Sequence, residues 1–335
     1  MSSPRDVLVR DATVIVTILN EQDSVLVLLE SIRAQSILPA EIVVIDGGSV
    51  DRTVDIVTAW PAPPGVAVRV GVVPGAGISQ GRNAAIAAAS HERVLVTDAG
   101  ARLAPVWVQA MLEAFDSGAQ VVAGFFEPAG ESYMARVLAR VIVPTLDEID
   151  TETFLPSSRS LGLLRSAWER VGGYPEWLDY CEDLVFDLEL KKAGAAFVFA
   201  AEALVTWDAR PSLLAFGKQY YRYARGDGKA GLWPRRHLLR YGAYSTGIVL
   251  LAAVGRWPVV AVPLAFGFLA YQAKFLRRLW LGRYGLGGSA ALGLAMTPLL
   301  VVWGDIAKMV GYPAGLAWRR YRDRTPQTGA EVQWV

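Results

Sequence analysis

Residues Ala12–Glu21 read ATVIVTILNE. A β-branched and aliphatic run without polar alternation suits a strand buried on both faces, and this one stops at the polar pair Asn20-Glu21. The pattern then repeats. Glu21–Gln35 places Val25, Leu28, Leu29 and Ile32 at helical spacing. Glu41–Ile45 (EIVVI) is a second strand leaving into Asp46, and Arg52–Trp60 a helix with Ser49 or Asp51 available as its cap. Val66–Val73, the alanine-rich helix Ser79–Ser90, the strand Arg93–Thr97 (RVLVT) ending at Asp98, the helix Pro105–Phe115 and the strand Gln120–Phe126 continue the alternation. Alternating elements of these lengths predict an α/β domain, a doubly wound and mostly parallel sheet with helices on both faces. Such sheets bind ligands outside the carboxyl ends of their strands. Asn20–Glu21, Asp46–Asp51 and Asp98–Gly100 are all at such ends.

Composition narrows the classes. Of 335 residues, 53% are hydrophobic and 19% charged, so intrinsic disorder is excluded. Cys181 is the only cysteine, which excludes a disulfide framework, and His91 and His237 alone make a histidine-rich zinc site untenable. The net charge of +1 gives no case for nucleic-acid binding. That balance hides an asymmetry, a net of −6 up to Arg240 and +7 beyond it. The chain therefore reads as an acidic globular part over residues 1–236, an apolar and basic region over 237–320, and a polar tail over 321–335.

The second region reads as membrane-embedded helices. Tyr241–Gly255, Pro258–Ala273 and Tyr284–Gly304 carry no charged residue. A spanning helix needs about 20 mainly apolar residues, which the third run satisfies. The first two read as a hairpin turning near Arg256–Pro258. Arginine clusters stay cytoplasmic, and Arg277, Arg278 and Arg283 form one, Arg319–Arg324 another. To place both on one side, the third run must return, through the amphipathic stretch Ile306–Trp318, or lie in the interface. Met1–Arg10 is polar and charged, so no cleavable signal is expected. The expectation is a multi-pass protein of the inner (plasma) membrane with its first part in the cytoplasm.

Six motifs in order resemble the family 2 glycosyltransferases with a GT-A fold. VIVTILNE (Val14–Glu21) resembles the family's first strand and its Asn-Glu exit. VVIDGGSVDRT (Val43–Thr53) resembles its nucleotide loop, with Gly47 where a second Asp is frequent. GRNAAI (Gly81–Ile86) is similar to its Arg-Asn helix start. VTDAGA (Val96–Ala101) stands at the metal-binding Asp-x-Asp, with Gly100 in place of the second Asp. CEDLVF (Cys181–Phe186) resembles the Glu-Asp motif of the catalytic base, and QYYRY (Gln219–Tyr223) the Gln-x-x-Arg-Trp motif, with Tyr223 for Trp.

The resemblance implies a GT-A-type doubly wound mixed sheet and transfer of a sugar from a nucleotide-diphosphate donor, with inversion at the anomeric carbon. Asp183 is the implied general base, Glu182 its neighbour that orients it or the acceptor, and Arg222 a counter-charge. Asn20, Glu21, Asp46, Asp51, Arg82, Asn83, Gln219 and Tyr223 are the implied donor-binding residues. Asp98 is the implied ligand of Mg²⁺ or Mn²⁺, which neutralises the leaving diphosphate as a Lewis acid. With Gly100 unable to coordinate, either Asp98 and water suffice or Asp46 or Glu182 helps, and Arg222 with Arg225 offers a metal-independent alternative. Each residue also has a purely structural reading. Glu182 and Asp183 suit a first helical turn, Asp98 a turn, Asp51 a cap, and the aromatics around Gln219 an interfacial belt. Ser157, Ser158 and Arg159 in LPSSRSLGLLR are further candidates for acceptor contact.

The expected acceptor is a lipid or lipid-linked molecule at the membrane. A processive polysaccharide synthase shares the Gln-x-x-Arg motif but needs more spanning helices. Nucleotidyl transfer would want a glycine-rich loop after the first strand, which Asn20–Asp23 lacks. A degenerate nucleotide-sugar-binding membrane protein that lost its metal through Gly100 is the non-enzymatic alternative. Transfer to a polyprenyl phosphate would require a basic phosphate pocket near the membrane.

Overall fold

A computed structural model describes residues 8–130, 132–209, 212–321 and 332–335. The chain divides into two compact units. Among the described residues, the first takes 8–127, 149–207 and 332–335, and the second takes 128–148 and 208–321. The expected boundary near residue 236 is thus not where the units divide. The helix that carries Gln219 belongs to the second unit, as does a helix from the middle of the chain.

The first unit opens as the sequence predicts: β1 (Leu8–Ile18), α1 (Val25–Arg33), β2 (Ile37–Asp46), α2 (Thr53–Ala59), β3 (Ala67–Val72), α3 (Ile78–Ala88), β4 (Arg93–Asp98). There follow β5 (Ala101–Leu103), α4 (Trp107–Asp116) and β6 (Val121–Ala129), then, after α5 (Tyr133–Ile142) of the second unit, β7 (Leu161–Leu164), α6 (Arg165–Val171), α7 (Glu182–Lys192) and β8 (Phe197–Asp208). The sheet order is β5-β8-β6-β7-β4-β1-β2-β3-β9, where β9 is Gln333–Trp334. The pairs β4-β1, β1-β2 and β2-β3 are parallel, and β7, paired antiparallel to both β4 and β6, begins the mixed flank. β5, β7 and β8 escaped the sequence reading. β7 has only four residues and lies inside LPSSRSLGLLR, the stretch read above for acceptor contact.

The uninterrupted apolar strands are explained by what covers them. Val14, Val16 and Ile18 of β1 pack on one side with Leu28 and Leu29 of α1 and Trp107 and Met111 of α4. Ile15 packs on the other side with Ile86 of α3 and Phe186 and Leu190 of α7. Each such side chain contributes roughly 1.5–3 kcal/mol of burial. Register then positions the loops. Thr17 of β1 lies opposite Asp98, and Ile18 opposite Asp46. Asp46 and Asp98 therefore flank the end of β1 at one level, about 10 Å apart at ~4.8 Å per strand.

The second unit is helical: α5, α8 (Leu213–Ala230), α9 (Pro234–Ala253), α10 (Ala261–Leu281) and α11 (Ala290–Tyr321). The turn between α9 and α10 falls where the hairpin reading puts it. α11 is a surprise, because the third apolar run and the amphipathic stretch after it form one 32-residue helix with Pro298 and Pro313 inside. It neither returns nor breaks. Among the described residues two segments, not three, are long and apolar enough to cross a membrane, Pro258–Leu281 and Ala290–Tyr321, each of mean hydropathy 1.6. The first run does not qualify because α9 begins with Arg235, Arg236, His237 and Arg240. Along α10 the apolar residues Val262, Phe266 and Leu269 are exposed. The basic cluster expected to continue from Arg319 passes, beyond Tyr321, outside the described residues, as do Arg210 and most of the polar tail.

Glycines set the closeness of α8 and α11. A Cβ on Gly228 would lie 2.3 Å from the Tyr312 carbonyl oxygen, and one on Gly315 would lie 2.1 Å from that of Arg225. Gly311 and Gly315 stand four apart, the small-residue spacing that lets helix backbones meet.

Candidate active site

The carboxyl ends of β1 and β2 form one hydrogen-bonded wall. Asp46 is fully buried. One of its oxygens accepts from the Gly48 and Ser49 amides at 2.8 and 2.7 Å, the other from the Ser49 hydroxyl at 2.5 Å. Ser49 in turn accepts from the Asn20 amide at 2.7 Å, and the Asn20 side chain accepts from the Val50 amide at 3.0 Å. Asn20 itself has φ 54°, a left-handed conformation that asparagine tolerates better than most residues. The Glu21 amide donates to Thr53 at 2.8 Å, and the Glu21 carboxylate accepts from Ser24 beside it. Asp51 accepts from the Thr53 amide at 3.0 Å and from its hydroxyl. These bonds, the Thr53 hydroxyl first, hold the Asp51 carboxyl below its usual range. Asn20, Glu21, Asp46 and Asp51 are thus brought together as predicted, with much of their polar capacity organising the loop. Gly47 answers to close approach, since a Cβ there would meet the Ala76 carbonyl oxygen at 3.1 Å.

The end of β4 holds the second cluster. Arg82, in the second turn of α3, is 3% exposed in its side chain and bridges two carboxylates. Its Nη1 lies 2.8 Å from Glu182 and its Nη2 2.8 Å from Asp98. Arg159 approaches the other oxygen of Asp98 at 3.5 Å and lies over the Trp207 ring. Burial opposes the charge on Asp98, but Arg82 and then Arg159 outweigh it and hold the carboxyl below its usual range. Glu182 goes the other way. Burial first, then the charge of Asp183, push it up to about 7 against the pull of Arg82. Asp183 is half-buried beside it at the start of α7, and its side chain accepts from the Leu184 amide at 2.8 Å. Two carboxyls and an arginine spanning to a third therefore meet where α7 begins.

Asn83 differs from expectation. Its side-chain amide donates to the Tyr174 carbonyl and to Glu176, both at 2.9 Å, and accepts from the Tyr174 amide at 2.8 Å and the Trp168 indole at 3.0 Å. Those four bonds take up its whole polar capacity, so it clamps the loop before α7 and has nothing left for a donor. Ser158 is likewise buried against the Tyr174 hydroxyl at 2.9 Å. Gln219, Arg222 and Tyr223 lie on α8 in the second unit, where Gln219 donates to the Tyr223 hydroxyl at 2.7 Å and its own carbonyl oxygen is buried without a partner among the described residues. The sequence reading missed Asp187. It is buried one turn beyond Asp183, neither oxygen has a hydrogen-bond partner among the described residues, and burial followed by the charge of Asp183 raises its carboxyl well above the usual range. Its only signal was an acid on the face shared with Phe186 and Leu190.

Among the described residues no three His, Cys, Asp or Glu side chains gather to hold a metal. A magnesium-type ion needs fewer, since it keeps waters and is commonly held by one or two carboxylates with substrate phosphates. Asp98, a quarter exposed, fits that smaller role.

A mixed sheet with a polar wall and an acid cluster at the carboxyl ends of its parallel strands is a GT-A-like arrangement. Residues 13–159 match the family model for glycosyl transferase family 2. The fold is similar to that of the mannosyltransferase PcManGT from Pyrobaculum calidifontis, solved with GDP-Man and Mn²⁺ (19% identity, 92% of this chain and 87% of that one, TM-score 0.52). It is also similar to residues 1–349 of TarS from S. aureus, solved with UDP-GlcNAc (16% identity, 97% and 99%, TM-score 0.50). No curated protein matches in sequence.

Proposed function

We propose that this glycosyltransferase moves a sugar from a nucleotide-diphosphate donor to a lipid or lipid-linked acceptor with inversion, and that Asp183 takes the acceptor proton. The observation that carries the reading is the Arg82 bridge. It ties the carboxylate at the end of β4 to the carboxyl beside Asp183 and so fixes one to the other. The Asn20–Asp51 wall would receive the nucleoside and Asp98 the diphosphate side. A divalent ion held by Asp98 and the donor's phosphates would neutralise charge on the leaving group. PcManGT with GDP-Man and Mn²⁺ supports a donor and ion of these classes. Direct displacement needs one base, and a positioned one typically supplies ~10²–10⁴-fold. Asp183 therefore accepts the hydroxyl proton as that oxygen bonds to the anomeric carbon and the diphosphate departs with the electrons of the broken bond. The two apolar segments fit association with a membrane, the catalytic unit facing the cytoplasm.

The test is nucleoside diphosphate release from UDP-, GDP- and dTDP-sugars by membranes carrying the wild type or Asp183→Asn, with lipid extract as acceptor. Release that falls roughly 10²–10⁴-fold in the variant supports the base. No release from any donor, with folded protein, moves the reading to a degenerate binding protein.

A further inference from the structure

The second unit contains a cavity of about 280 Å³ into which five cationic side chains face: Arg236, Arg240, Lys274, Arg278 and Lys308. Among the described residues two carboxylates line it, Asp227 and Asp305. Asp227 is held by His237 at 3.1 Å. Asp305 is shared by Arg240 at 3.0 Å, Lys308 at 3.4 Å and the hydroxyls of Tyr244 and Tyr271. Arg278 pairs with Glu148, at 2.7 Å. Arg236 lies beside the Trp233 ring and Lys274 beside the Phe275 ring, and neither has a carboxylate within ion-pair distance among the described residues. The cavity thus gathers more positive charge than its carboxylates balance. Arg236 and Lys274 are exposed to solvent, so both are open to an anion with several acceptor oxygens, which binds such cations through charge-assisted hydrogen bonds.

Position along the helices says where that anion comes from. Lys274 is the first charged residue after the uncharged run Pro258–Ala273, and Arg240 the last before the uncharged run Tyr241–Gly255. The apolar runs of α9 and α10, which meet at the turn near Arg256–Pro258, therefore both end at the level of Arg240 and Lys274, joined by the Arg240–Asp305 and Tyr271–Asp305 bonds. The cavity opens there, and exposed Phe266 and Leu269 lie on α10, one to two turns before Lys274. Basic pockets between membrane helices at this level are built to hold anionic lipid head groups. The volume, just under the roughly 300–1,000 Å³ of drug-sized sites, suits a head group rather than a nucleotide sugar.

We propose that this cavity binds a phosphoryl group, carried by a membrane amphiphile whose chains lie along α10. The site is separate from the Arg82 cluster and stands whether or not the donor chemistry above is right. The test uses the full chain in uncharged detergent, titrated with short-chain phosphatidic acid, the matching diacylglycerol and inorganic phosphate. Wild type is compared with Arg236→Gln/Lys274→Gln and with Arg256→Gln, which removes a charge outside the cavity. Arg236 and Lys274 have no carboxylate to strand, so the double variant keeps its fold, checked by circular dichroism. Phosphatidic acid is expected to bind wild type and Arg256→Gln alike and the double variant roughly tenfold or more weakly, with diacylglycerol inert. Equal binding by the double variant, equal binding of diacylglycerol, or no binding of phosphatidic acid to the wild type overturns the proposal. Inorganic phosphate binding as tightly as the lipid, and lost in the same variant, overturns the lipid as the source.

Discussion

Arg82→Met isolates what the bridging arginine does. Its side chain is 3% exposed, that of Glu182 9% and that of Asp98 25%. Removing one partner of a buried pair costs roughly 3–5 kcal/mol, because the other charge is left uncompensated. The Asp98 half is partly screened by water, which places the expected loss near the lower bound, about 3 kcal/mol. The variant also makes a pH signature. Glu182 already titrates at about 7 with Arg82 pulling it down, so without that charge it rises further. A glutamate in the unfolded chain titrates near ~4.3. The folded state therefore binds the proton more tightly, and the stabilisation is complete at low pH and lost as pH climbs through the folded value. Arg82→Met should then be distinctly less impaired at pH ~6 than at pH ~8.5. Arg82→Met/Glu182→Gln removes the stranded charge and should recover about 1–3 kcal/mol of coupling. Urea unfolding of the detergent-solubilised chain, followed by tryptophan fluorescence, reads all of this. A loss under ~1 kcal/mol, no pH dependence, or a double variant no better than the single would refute the reasoning.

Other consequences are as direct. Nothing lies within 4 Å of a Cβ built on Gly100, so Gly100→Asp should fold and, by adding a second carboxylate near Asp98, tighten Mn²⁺ binding about tenfold by calorimetry. In the wild type, chelator should abolish diphosphate release, and release that survives EDTA would shift the counter-charge to arginine. Asp46→Ala removes three hydrogen bonds from the β2 loop; it should cost about 2 kcal/mol or more and raise the donor KM more than it lowers kcat. Gly315→Leu drives a side chain into the Arg225 carbonyl and should cost at least ~1–3 kcal/mol, seen as lost thermal stability of the second unit while Gly100→Asp leaves that unit unchanged.

The strand-helix alternation, the three loops at strand ends and the break between α9 and α10 are written locally, in runs of residues whose covering or turning needs no distant partner. That is why ATVIVTIL, EIVVI and RVLVT all proved to be strands, and why Asp46 and Asp98 stood where expected. The antiparallel flank was hidden because β7 takes its identity from β4 and β6 on either side of it, not from its own four residues. The same holds in the site. Arg82 was legible as a site candidate but not as a buried bridge, since Glu182 lies 100 residues away in sequence. Asn83 looked like a donor contact until Tyr174 and Trp168 were seen to occupy it. The sequence alone determined the order of strands and helices through β4 and which polar residues stand at the strand ends. The tertiary structure decided which polar groups were already satisfied, which carboxyls were buried together, and where cations gathered without carboxylates to balance them, because hydrogen-bond satisfaction and desolvation depend on neighbours that only folding supplies.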